Sequence, residues 1–220
     1  MNETAGSSRG WYVPVVVFAV ALAGWTGAWL LNLALTARYD AFGNEWIGLG
    51  YWTAARLVVW IAPAVWLLRH IGVRVGEAFK VVSWRKTLAW GGGLGGAFMV
   101  VSLAVRIATG NWSPPGTSVS SWIDIVILAP LLEEFLMRGA ILAALRRKMA
   151  FWPANVITAV LFLLLHVPGW FFLGSLSSML TNPVGGALAI VLVGLACGLA
   201  AKRGEGLVAA ILVHFLNNVY

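Results

Sequence analysis

Glu133 and Glu134 stand side by side inside the apolar run from Trp122 to Leu145, with Arg138 following in the pattern E-E-x-x-x-R. An acid at the centre of a membrane helix costs roughly 2.5–3.5 kcal/mol on insertion scales, so two in one segment need compensation or a task. Successive helical positions are about 100° apart, so the two glutamates face different ways. Glu134 and Arg138, at i,i+4, share a face and are expected to pair. Glu133 is then turned toward another surface with no local cation, where a desolvated carboxylate could serve as a general base. Pro130, just before it, removes one backbone hydrogen bond and is expected to loosen or kink the helix beside the acid.

Two more polar groups sit where a membrane should hold none. His166 closes the run F-L-L-L-H, with Phe162 one turn earlier on the same face and Pro168 just beyond, which reads as a helix end. His214 and Asn218 put an imidazole and a carboxamide on one face of an otherwise apolar helix. Alone, the first reads as a cap or interface residue and the second equally as interhelical glue. Together with Glu133 they are the parts needed to activate a water and stabilise an oxyanion. Ser120, Ser121, Ser175, Ser177 and Ser178 fall in or near loops with no G-x-S-x-G context, and Cys197 has no local base. Glu133, His166 and His214 match zinc in donor type, yet no H-E-x-x-H is present. Asn218 is a poor zinc ligand and a good oxyanion donor, so neither a metal nor an organic cofactor is expected.

These residues must be positioned by membrane helices. The chain has 220 residues, 60% hydrophobic and 10% charged, which excludes an ordinary soluble domain. A span needs about 20 mostly apolar residues, and seven candidates run near Trp11–Leu35, Trp46–Leu68, Leu88–Ala108, Trp122–Leu145, Ala150–Val167, Val184–Ala201 and Gly206–Tyr220. The first follows a single basic residue, Arg9, and exceeds a signal-peptide core, so it is expected to be retained. The expected fold is an all-α, polytopic membrane helix bundle of about seven transmembrane helices, one domain over 1–220 with the chemistry in 122–220.

The net charge of +7 does not indicate nucleic acid, because the basic residues sort by loop and form no aromatic-interleaved patch. Arg69, Arg74, Lys80, Arg85 and Lys86 follow span two, Arg146 to Lys148 follow span four, and Lys202 and Arg203 follow span six. The positive-inside rule then places the N-terminus in the cytoplasm of a plasma membrane, expected to be prokaryotic. Trp11, Trp46, Trp84, Trp112, Trp122, Trp152 and Trp170 fall near span ends, as interfacial anchors do. Gly91, Gly92, Gly93, Gly95 and Gly96, and Gly185, Gly186, Gly194 and Gly198, read as helix-packing positions, and Cys197 as a small packing residue. Arg69 to Thr87 is expected along the membrane surface, and Asn111–Gly116, with Pro114 and Pro115, as an extracytoplasmic turn.

The three motifs, E-E-x-x-x-R at Glu133–Arg138, F-x-x-x-H at Phe162–His166 and H-x-x-x-N at His214–Asn218, resemble in this order the signature of the CAAX protease and bacteriocin-processing family of intramembrane glutamic endopeptidases, also called the Abi family. The resemblance covers Trp122 to Tyr220. It implies that Glu133 and His166 activate the water and that His214 and Asn218 form the oxyanion site, with Glu134, Arg138 and Phe162 in support. It also implies a peptide or membrane-protein substrate met at the lipid bilayer. Family members commonly continue beyond the asparagine, so the seventh helix is expected to be incomplete or unusually short. A non-proteolytic scaffold or bacteriocin-immunity protein, and a proton or ion pathway, are the alternatives from other classes. A transporter would more often show two related halves, and none is visible.

Overall fold

The computed structural model describes residue 10 and residues 12–110, 118–182 and 185–219. Arg9, Trp11, Trp112, the Asn111–Gly116 turn, and Val184 and Tyr220 at the ends of two expected spans lie outside these residues.

Seven helical rods form an all-α bundle, with no strand among the described residues. They are α1 (Val13–Arg38), α2 (Glu45–His70), α4 (Trp84–Thr109), α5 (119–145), α6 (Phe151–Phe172), α8 (Ala187–Arg203) and α9 (Leu207–Asn218). Two short helices, α3 (Val75–Ala78) and α7 (Leu176–Thr181), lie in the connections. α1, α2, α4 and α6 are long and apolar enough to cross a membrane. α5 has the length but carries Asp124, Glu133, Glu134 and Arg138.

The ends follow local chemistry. Asn44 caps α2 by accepting from the Trp46 and Ile47 amides at 2.9 and 3.3 Å, Ser118 caps α5 by accepting from the Ser121 amide, and α4 stops at Gly110 in the left-handed conformation. α6 differs from expectation. It runs through Pro168 to Phe172, so His166 lies inside the helix and does not end it. A proline forfeits only its own N–H and strains one preceding turn, a cost that membrane helices packed on neighbours tolerate.

α5 is the central rod. Every residue from Glu133 to Leu142 is buried, and a helix covered all round belongs in the middle of a bundle. α1, by contrast, buries the single stripe Phe18, Ala21, Trp25 and Ala28 and leaves Val16, Val20 and Leu30 exposed toward lipid. Small residues bring helices close: a Cβ on Gly91 or Gly95 would collide with Ala209 or Leu216 of α9. Gly93 and Gly96 have nothing within 4 Å and do not pack, contrary to the expectation for this run. Cys197 is fully buried among Val193, Ala200, Ala209 and Val213.

The basic loops gather at one end. Lys86 pairs with Glu205, Arg203 lies over the Trp90 ring at 5.6 Å, and Lys202 and Arg146 lie over Phe151 at 4.3 and 5.4 Å. Trp46, Trp84, Trp122 and Trp152 are exposed near helix ends. Trp170 is 9% exposed and forms cavity wall, so it is not an interfacial anchor.

Candidate active site

A cavity of about 620 Å³ opens between α4, α5, α6, α8 and α9, and Glu133, His166, His214 and Asn218 all line it. Three helices thus bring the four sequence-selected residues to one space. Glu134, Arg138 and Cys197 do not reach it.

The two adjacent glutamates are held differently. Glu134 is fully buried, and its Oε1 accepts from Arg138 Nη1 and from His214 Nδ1, each at 2.9 Å. Arg138 also donates from Nη2 to the Gly194 carbonyl at 2.6 Å and lies over the Phe162 ring at 4.8 Å. The i,i+4 pair is therefore a cross-link joining α5 to α8 and, through His214, to α9. Glu133 faces the cavity. Its Oε2 has no hydrogen-bond partner, and His214 Nε2 lies 3.9 Å from it.

Each histidine has one ring nitrogen fixed by its surroundings. His166 donates from Nδ1 to the Phe162 carbonyl at 2.8 Å, which leaves Nε2 as an acceptor in the neutral ring. His214 donates from Nδ1 to Glu134, so its Nε2 is the nitrogen left for the cavity. Phe162 is the packing hub: its ring meets His166 edge-on at 4.8 Å, His214 edge-on at 5.6 Å and the Arg138 guanidinium on its face.

Asn218 donates from Nδ2 to the Ile125 carbonyl at 2.9 Å, while its Oδ1 accepts from Asn217 at 3.0 Å. That carbonyl is open for a reason visible in the sequence. Residues 123–128 are wound one residue wider than an α-helix, with the Ala129 amide donating to the Asp124 carbonyl. In this register the partner of Ile125 would be the amide of residue 130, and Pro130 has none. The expected loosening near Pro130 is thus a wide turn with one free acceptor. A second wide stretch, Phe135–Leu142, carries Arg138.

Several further residues of the site lie outside the three motifs. Arg56 of α2 makes a two-pronged ion pair with Asp124 of α5, and both line the cavity. Arg56 also lies over the Trp25 and Trp60 rings at 5.7 and 5.6 Å. A charged residue in the middle of the expected second span was the available signal. A second cavity of about 210 Å³ is lined by Trp25, Trp29, Trp60, Trp170 and Leu173, and it shares Glu133, His166 and Trp170 with the first. The two candidate water-activating groups therefore sit between two spaces, while His214 and Asn218 face only the larger one.

Among the described residues, no three His, Cys, Asp or Glu side chains gather as a ligand set for a metal ion.

No curated protein and no solved structure matches the chain. A family model does match, over residues 115–220, the stretch that holds α5, α6, α8 and α9 and every one of the three motifs. Its description is type II CAAX prenyl endopeptidase Rce1-like, and it is to this Rce1-like family that residues 115–220 of the chain are similar.

Proposed function

We propose that the protein is an intramembrane endopeptidase in which Glu133 activates water against a peptide bond held in the cavity. The observation that carries this reading is the difference between the two glutamates. Glu134 is tied through Oε1 to Arg138 and His214 and stays out of the cavity, whereas the Glu133 carboxylate faces a space of about 620 Å³, within the roughly 300–1,000 Å³ range of ligand sites.

In this mechanism a water lies between Glu133 and the Nε2 acceptor of His166. Glu133 takes one proton from it, and the resulting hydroxide forms the new C–O bond at the scissile carbonyl carbon. The carbonyl electron pair moves onto oxygen, and N–H donors of His214 and Asn218 stabilise that charge. Collapse re-forms the carbonyl and breaks the C–N bond, while Glu133 returns its proton to the leaving nitrogen.

His214 can donate from Nε2, with Nδ1 already donating to Glu134, only as an imidazolium. That form makes the cluster neutral, two carboxylates against Arg138 and His214. Asn218 uses one amide hydrogen on Ile125 and keeps the other for the oxyanion. Nothing in this scheme calls for a metal, and activity should survive exhaustive chelation.

The family description points to peptides ending in a CAAX sequence as the substrate class, and the basic loops mark the end of the bundle opposite Asn218 as cytoplasmic. The test is hydrolysis by purified protein of fluorogenic CAAX peptides, prenylated and unprenylated, with mass spectrometry of the products. Glu133-dependent cleavage with chelator present supports the reading. Cleavage that chelator abolishes and zinc restores would replace it with a metalloprotease, and a Glu133→Gln protein as active as wild type would leave the cluster a structural one.

A further inference from the structure

We infer that Pro130 is a positioning residue for Asn218: by withholding an amide from the Ile125 carbonyl, it creates the acceptor that aims the carboxamide at the cavity. The inference rests on the proposed role of Asn218 and adds to it the device that sets its geometry.

Three features meet in the turn 123–128. In an ordinary α-helix the Ile125 carbonyl would accept from the Ala129 amide, but that amide donates to Asp124. The next amide along belongs to Pro130 and does not exist. Ile125 is partly buried at the cavity wall, and a carbonyl left in this state calls for another donor. The donor that arrives is Asn218 Nδ2, from a helix 93 residues away, at 2.9 Å. The same turn is gripped from the other side by Arg56, through both oxygens of Asp124, the residue preceding Ile125. Arg56 is itself packed over Trp25 and Trp60. The N-terminal helices, which lie outside the family match, thereby fix the segment that orients a group of the candidate site.

An alanine at 130 supplies the missing amide, lets residues 123–128 relax to the α-helical register, and gives Ile125 a main-chain donor. Asn218 then loses its anchor while every side chain of the site remains. Alanine is also a far better helix former than proline in a helix interior, so the variant should be at least as thermostable as wild type. Lower turnover in a protein that is no less stable is a signature that a merely structural proline would not give.

The experiment is a double-mutant cycle on CAAX peptide hydrolysis, joined to a readout that needs no activity. Pro130→Ala should lower kcat about 10-fold or more, a share of the roughly 10²–10³-fold expected for removing one oxyanion donor, with KM changed less than about twofold. In the Asn218→Ala background the same substitution should change kcat less than about twofold. In full-length protein labelled with ¹⁵N-asparagine, the Asn218 carboxamide signal, assigned by its loss in Asn218→Ala, should lose exchange protection in Pro130→Ala.

Equal effects of Pro130→Ala in both backgrounds, or unchanged protection, would overturn the inference. If no peptide is hydrolysed by the wild type, the proposed activity fails, and the protection measurement alone still decides whether Pro130 positions Asn218.

Discussion

The two halves of the bundle place charge in the membrane by different rules. From α5 onward, charged and polar groups are linked across helices: Glu134 to Arg138 on its own helix, to His214 on α9, and through Arg138 to a carbonyl of α8. In α1 to α4 the deep charge is Arg56, pressed between tryptophans and turned across to Asp124. One half holds the groups able to do chemistry, and the other supplies walls and a clamp. A buried ion earns little stability of its own. What the C-terminal network achieves is to leave one carboxylate, Glu133, facing a cavity with no hydrogen bond to its Oε2.

Breaking that contrast should show a graded response. Arg138→Ala leaves Glu134 without its guanidinium partner in the core and should cost about 3–5 kcal/mol, seen as lost monodisperse protein and an earlier denaturation midpoint. His214→Ala and Asn218→Ala should each lower kcat about 10²–10³-fold with a smaller change in KM, measured at saturating peptide. Asp124→Ala removes the partner of Arg56 at the cavity wall and should cost about 1–3 kcal/mol in stability. Lys86→Ala, which breaks an exposed pair with Glu205 at the basic end, should shift stability by at most about 1 kcal/mol. If Lys86→Ala proved as damaging as Arg138→Ala, burial would not be what separates the two networks.

Legibility in the sequence follows the range of each interaction. The Glu134–Arg138 pair, the shared face of His214 and Asn218, and the position of Phe162 beneath His166 depend on i,i+4 spacing, and the sequence states that spacing directly. The order of apolar runs likewise anticipated the seven rods. Arg56 and Asp124 are 68 positions apart, and nothing local to either announces the other. The cluster of Trp25, Trp29, Trp52 and Trp60, with ring centroids 4.4–6.2 Å apart, is not legible in the sequence because composition does not say which face of a span turns inward. Trp170 and the continuation of α6 past Pro168 depart from the pattern because proline breaks helices less readily among packed membrane helices than in water. Pro130 lies between these cases: the sequence shows that an amide is missing, and only the fold shows which side chain takes its place.

The most direct test of the account is the turnover of Glu133→Gln on a fluorogenic CAAX peptide, in membrane-inserted, monodisperse protein whose thermal midpoint is checked against wild type. With Glu133 as the base, the midpoint should be preserved and kcat should fall by about 10²–10⁴-fold, the contribution of a positioned general base. Turnover within a few-fold of wild type in equally stable protein would contradict the claim that this carboxylate activates the water.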